Sequence, residues 1–238
     1  MRGSVRLVTR LTFVHGSVTN AARSWGRQRV LAERYELSLP DRPGFFPNPP
    51  LPRIDFEDDA AWLPGVVAPG DHLVAHSYGG IGALLAAQQL PLASLTLIEP
   101  PAFRLAWADP AVQAWVAGAG ELPRDDARTF VNAFLRHVGA PMQLPEELPP
   151  DLAQGADAFV HERWPTEAEI APAPLPYPVL VVTGDHEPAF EAVGDALERG
   201  LDAKRVVLPG AGHAVQFAPG FNEVLVAFVE ASRCGPRA

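Results

Sequence analysis

The chain has 238 residues, 47% hydrophobic and 20% charged, which suits one large globular domain; its net charge of −9 disfavours nucleic acid and anionic membrane as partners, since both require basic surface. No apolar run reaches the roughly 18 residues of a membrane span. The basic start "MRGSVRLVTRLTFVHG" alternates apolar residues with Arg and Thr and lacks the unbroken apolar core of a signal peptide, and the lone cysteine, Cys234, closes no intrachain disulfide, which fits a reducing cytoplasm.

In chain order, short apolar runs alternate with helical patterns. The runs "VRLVTRLTFVHG" (5–16), "YELSLPD" (35–41), "DHLVAHS" (71–77), "SLTLIEP" (94–100), "YPVLVVTGD" (177–185) and "AKRVVLPG" (203–210) predict strands. Residues 21–33, 55–67, 79–90, 187–200 and 220–233 predict helices. The fold class is therefore α/β: a mainly parallel sheet of about six strands with helices on both faces, joined by right-handed crossovers. The uncharged cores of "LTLIEP" and "PVLVVTG" suit central strands buried on both sides.

From Pro101 to about Pro176 the rhythm stops. Helical patches at 109–119, 124–138 and 151–164 are separated by the Pro-rich joints "GAPMQLPEELPP" and "APAPLPYP". This predicts a core domain of residues 1–100 and 177–238 carrying a helical cap of residues 101–176. Trp107, Trp115, Phe130 and Phe134 are the candidates for lining an apolar substrate pocket beneath it, against the plainer role of gluing cap to core.

The chemistry concentrates where strands end. "Ala75-His76-Ser77-Tyr78-Gly79" places small residues two before and two after a serine, between a buried strand and the helical "GGIGALLAAQQL". A sharp strand-to-helix turn forces the central residue to positive φ, where larger flanks would collide, and aims the first amides of the helix at the serine oxygen. Ser77 is thus a candidate nucleophile. In "TFVHGSVTN" (12–20), Gly16 allows a tight turn that presents the Ser17 N–H, and this amide with that of Tyr78 would form a two-donor oxyanion hole. His15 is expected to brace that loop.

A serine hydroxyl needs a base. Of the seven histidines, His213 in the glycine-flanked loop "LPGAGHAVQFAPG" is best placed after the last strand; His76 reads as structural, and His72, His137, His161 and His186 lack a comparable setting. The acid that orients the base is open at this level: Asp185 or Glu187 in "VLVVTGDHEP", or Glu99 closing "LTLIE".

In this order and spacing "HGS", "DRPGFF" (41–46), "HSYGG", "LIEPP" (97–101), "VVTGDHEP" and "GAGHAVQF" resemble the α/β-hydrolase superfamily over nearly the whole chain. That family commonly carries Gly-x-x-Asp after the acid-bearing strand; in this chain Gly184-Asp185-His186-Glu187 sets Glu187 at that place, so the resemblance implies Glu187 as the acid, ahead of Asp185 and Glu99. The chain departs from the pattern in having about six strands where eight are typical, with a shortened or missing N-terminal hairpin, and in offering Glu for Asp. Dehalogenases and epoxide hydrolases of this fold use Asp at the turn, which Ser77 argues against. Neither G-x-G-x-x-G nor G-x-x-x-x-G-K-[ST] follows the first strand.

The expectation is a serine hydrolase acting through an acyl-enzyme on a carboxylic ester, thioester or lactone of a small to medium, partly hydrophobic substrate. No metal or organic cofactor is implied, the partner is that small molecule, and oligomeric state is open. The rivals are carbon–carbon cleavage, acyl transfer or a cyclase step at the same site, and a non-catalytic ligand-binding protein.

Overall fold

Six apolar runs become the strands of a single all-parallel sheet in the computed structural model, which describes residues 9–233. They are β1 (Arg10–Val14), β2 (Glu36–Ser38), β3 (His72–His76), β4 (Ser94–Ile98), β5 (Val179–Thr183) and β6 (Lys204–Val207), in the spatial order β2-β1-β3-β4-β5-β6. Every residue of β3, β4 and β5 is buried, as strands covered on both faces require. Alternate side chains then serve opposite cores. Leu180 and Val182 pack with Phe13, Trp25, Phe221 and Leu225, whereas Val179 and Val181 pack with Leu84, Val193 and Leu197.

The helices are α1 (Ala21–Ser24), α2 (Phe56–Trp62), α3 (Tyr78–Ala86), α4 (Pro110–Gly120), α5 (Ala127–His137), α6 (Pro150–Val160), α7 (Pro188–Leu201) and α8 (Phe221–Ser232). Two expected helices are shorter than their patterns. The 21–33 stretch gives one α-turn and then a 3₁₀ run from Gly26 to Glu33, since glycine disfavours continued α-helix at that point. The 55–67 stretch tightens into a 3₁₀ turn at Leu63–Gly65, where Pro64 removes a helical N–H. The first strand's expected residues 5–8 lie outside the described residues. No helix among the described residues is long and apolar enough to cross a membrane.

Between β4 and β5 the chain forms α4, α5 and α6, with Asp109 and Asp126 accepting from Ala111 N and Thr129 N as N-caps of α4 and α5. Phe130, Val131, Leu135, Leu152 and Phe159 from these helices enclose Val18 of the loop after β1. Contact there is backbone-close: a Cβ on Gly155 of α6 would lie 1.8 Å from the Val18 carbonyl oxygen. Glu162 pairs with Ile54 in an isolated parallel bridge, tying the end of α6 to the segment before α2.

Strand register decides what meets at the carboxyl edge. Ala75 is opposite both Val14 and Leu97, His76 is opposite Ile98, and Ile98 is opposite Val182. The residues that follow, Gly16, Ser77, Glu99 and Gly184, therefore emerge side by side, with the loop after β6 next to them.

Candidate active site

Ser77 stands at φ 51° and ψ −126°, a left-handed backbone that costs a residue with a side chain roughly 1–3 kcal/mol unless its surroundings hold it there. They do so through contact and hydrogen bonding. Its N–H donates to the Ile98 carbonyl at 2.8 Å, and its own carbonyl accepts from Gly80 N at 2.8 Å. Glycine is required just beyond: a Cβ at Gly79 would lie 2.4 Å from the His15 carbonyl oxygen, and one at Gly80 would lie 2.8 Å from Pro100 Cβ. The serine is thus wedged between the β1 and β4 loops.

His213 Nε2 lies 2.9 Å from Ser77 Oγ. Its loop is held by His76, whose Nε2–H donates to the His213 carbonyl at 3.0 Å while the two rings pack 5.0 Å apart. Burial drives both imidazoles down to about 3, so each rests as the neutral base.

The acid beside His213 is Glu99. Its Oε2 is 3.4 Å from His213 Nδ1, and its Oε1 accepts from Gly184 N at 2.7 Å. Glu99 is fully buried at φ 47°, and loss of solvation pushes its carboxyl up to about 8, against the opposing influence of His186 and the Gly184 N–H. Glu187, the expected acid, stands elsewhere: its carboxylate accepts from Ala189 N at 3.4 Å as the N-cap of α7, with Pro188 as the first helical residue. Asp185, at φ 52°, is exposed and donates its N–H to Glu191 Oε1. Of the three candidate acids, Glu99 is the one whose carboxyl lies beside His213.

Both expected oxyanion amides lack a backbone acceptor among the described residues. Tyr78 is the first residue of α3, whose N–H has no intrahelical acceptor, and the Ser17 N–H makes no backbone hydrogen bond among the described residues. The Ser17 loop is braced as its sequence suggests: His15 accepts from Arg42 N at 3.0 Å and its other ring nitrogen bonds the Gly16 carbonyl at 2.8 Å. Ser17 Oγ donates to Glu162 Oε2 at 2.5 Å. Glu162 in turn faces Arg42, which is fully buried between Glu162 (3.3 Å) and Asp59 (2.7 Å). Burial lifts the Glu162 carboxyl to about 7, with Arg42 pulling the other way.

Above Ser77 and His213 lies a cavity of about 210 Å³. Its walls are Phe103, Trp115, Phe130, Phe134, Phe159, Trp164 and Phe190, and Arg124 sits on it with its guanidinium 4.4 Å from the Phe130 ring centre. Trp115, Phe130 and Phe134 thus stand where the sequence suggested. Trp107 does not: it follows the short 3₁₀ turn Phe103–Ala106 and is 46% exposed, away from the cavity.

Residues that sequence reasoning passed over include Arg42, Glu162 and His186. Arg42 and Glu162 are far apart in the chain, and no local pattern links them. His186 Nδ1 lies 3.8 Å from Glu99 Oε2, and its position next to the expected acid was the one available signal.

A parallel α/β sheet with a serine at a strained strand-to-helix turn and a histidine on its oxygen defines the α/β-hydrolase class. The chain belongs to the alpha/beta hydrolase family, whose model matches residues 13–221. It is similar to the solved structure of an alpha/beta hydrolase fold protein from Burkholderia ambifaria (24% identity, TM-score 0.65, covering 93% of this chain and 90% of that one). MenH from S. aureus is similar at 16% identity and TM-score 0.64, with 94% of each chain covered. The esterase RhEst1 from Rhodococcus sp. ECU1013 is similar at 19% identity and TM-score 0.63, covering 94% and 91%. At these identities the likeness is one of fold. A search of curated protein sequences found no significant match.

Proposed function

We propose that the protein is a serine hydrolase of carboxylic esters, thioesters or lactones with a small to medium, partly hydrophobic substrate. The observation that carries this reading is the 2.9 Å approach of neutral His213 Nε2 to Ser77 Oγ at the floor of an aromatic-walled cavity. His213 takes the hydroxyl proton as Ser77 Oγ attacks the carbonyl carbon, and the Ser17 and Tyr78 amides hold the oxygen as it becomes an oxyanion. Collapse of the intermediate expels the alcohol or thiol, which receives the proton from His213. Water, deprotonated by His213, then attacks the acyl-enzyme, and the acid leaves as Ser77 regains its proton.

Glu99 is the triad acid in this scheme. Its carboxylate keeps His213 in the tautomer with Nδ1–H and stabilises the imidazolium formed on proton transfer. Residues 101–176 act as a cap whose aromatic rings receive the apolar part of the substrate and exclude water. The esterase named above, which shares the fold, is in keeping with this activity.

The test is Ser77→Ala against p-nitrophenyl esters of graded chain length, with a fluorophosphonate probe on the wild type. Turnover should fall to background, and labelling should require both Ser77 and His213. Retained turnover in Ser77→Ala refutes the mechanism.

A further inference from the structure

Glu99 has two imidazoles beside it. His213 lies at 3.4 Å and His186 at 3.8 Å, both through Nδ1 and both on Oε2. The other nitrogen of His186 fixes what its Nδ1 can be. Nε2 lies 3.0 Å from the Val138 carbonyl oxygen, which only accepts, so Nε2 carries a proton and donates. A neutral His186 then turns a bare Nδ1 lone pair toward the carboxylate. That atom is buried without any hydrogen-bond partner. A lone pair facing a carboxylate in a buried site is repulsive, and one proton between them removes the conflict.

We propose that His186 is a positioning residue that shares one proton with Glu99 and so links the end of α5 to the Ser77–His213 pair. This rests on the serine-hydrolase reading above. The proton lies either on Nδ1, giving imidazolium against carboxylate at 3.8 Å, or on Oε2, giving a neutral acid beside a neutral imidazole; in both cases the pair is neutral overall. When His213 becomes imidazolium, the first arrangement presents it with a full carboxylate, and the proton stays on His186 throughout the cycle. Without His186 the buried carboxyl has only the Gly184 N–H and His213 to hold its charge, and it binds its proton on the His213 side.

The link to α5 is steric as well as polar. Val138 is the C-cap of α5, and the next residue, Gly139 at φ 68°, leaves room for the His186 ring: a Cβ at Gly139 would lie 2.6 Å from His186 Cδ2. Phe190 of α7 stacks on the His186 ring at 5.7 Å. The charged or titratable groups around the pair are His213 after β6, Asp185 and Glu187 flanking His186, Glu191 of α7, and Arg205 of β6, which is paired with Glu191 and Asp195; His137 of α5 is engaged by the Trp115 carbonyl. Arg205 is already paired with those two acids, and His213 is neutral before proton transfer, so at rest His186 is the nearest group left to carry the balancing charge at Glu99.

The test compares pH profiles of kcat and KM for one p-nitrophenyl ester in the wild type, His186→Phe, His186→Gln and Gly139→Ala, all full-length. Both His186 variants should lose about tenfold or more in kcat at pH 7, with KM changed less than about twofold and the ascending limb moved up by about one pH unit, a tenfold effect. Gly139→Ala, which displaces the ring without altering the triad, should move the limb in the same direction. In case a variant misfolds, ¹⁵N-histidine NMR of the wild type reads the proton directly: His186 Nδ1 should be protonated or hydrogen-bonded at pH 7. A free, unprotonated Nδ1 overturns the inference, as does an unmoved limb in the two His186 variants. An EDTA-sensitive wild-type profile also overturns it, because a cation would then hold the proton's place. If Ser77→Ala retains turnover, the hydrolase reading itself fails; if Ser77-dependent labelling persists while the limb is unmoved, only the role of His186 fails.

Discussion

Replacing Glu99 by Gln should make the protein more stable at alkaline pH and nearly inactive. Burial raises the Glu99 carboxyl from its ordinary 4.5 to about 8. Between those values the folded protein retains a proton that the unfolded chain releases, so stability falls as pH rises through this window. The slope is about 1.4 kcal/mol per pH unit, reaching an upper bound of about 5 kcal/mol above pH 8. Gln has the same shape, its carbonyl oxygen can accept from Gly184 N, and it has no charge to desolvate. The gain should therefore be largest near pH 9 and vanish below about pH 4.5, as read by chemical denaturation across that range. Activity should move the other way. The amide NH₂ beside His213 Nδ1 favours the wrong tautomer, and a loss of roughly 10³–10⁴-fold in kcat is expected. A variant that keeps more than about a tenth of wild-type kcat, or that is less stable than wild type at pH 9, refutes the assignment of Glu99.

Glu187→Ala separates the two carboxylates: it removes the α7 cap, so it should lower stability by about 1 kcal/mol and leave kcat within about twofold, measured by thermal melting and ester turnover. A kcat loss as deep as that of Glu99→Gln would restore Glu187 as the acid. Gly155→Ala forces a methyl against the Val18 carbonyl, where overpacking costs about 1–3 kcal/mol. The strain falls on the loop that offers the Ser17 amide, so kcat should drop severalfold more than fluorophosphonate-accessible Ser77 does; unchanged kcat would mean that α6 does not hold this loop.

The sheet was legible because its determinants are local. Runs such as "LVVT" contain no charge and are too short for helices, and turn residues bound each of them. Ser77 and His213 were legible for the same reason, each marked by glycines that its own loop geometry needs. The acid was not, since three carboxylates end strands at one edge and the choice among them depends on neighbours in space. One signal was nevertheless present: a residue directly before Pro188 at a helix start reads as a cap. Trp107 failed as a pocket residue because helical spacing says nothing about which way a 3₁₀ turn faces. His186 acquires meaning only through the Val138 carbonyl, 48 residues away in the chain.

The position of Glu99 also has a mechanical consequence. Ser77 N bonds to the Ile98 carbonyl, and Glu99 N bonds to the Val182 carbonyl at 3.1 Å. The proposed nucleophile and acid are therefore extensions of directly paired strands, and neither backbone can shift without breaking sheet hydrogen bonds. His213 belongs to a loop whose backbone is held near the site by His76. On the proposed mechanism, the 3.4 Å contact with Glu99 should shorten on proton transfer by movement of the imidazole. On this reading the demand for precision falls on the loop's anchors, which accounts for the buried His76 bonding to the His213 backbone and not to Ser77.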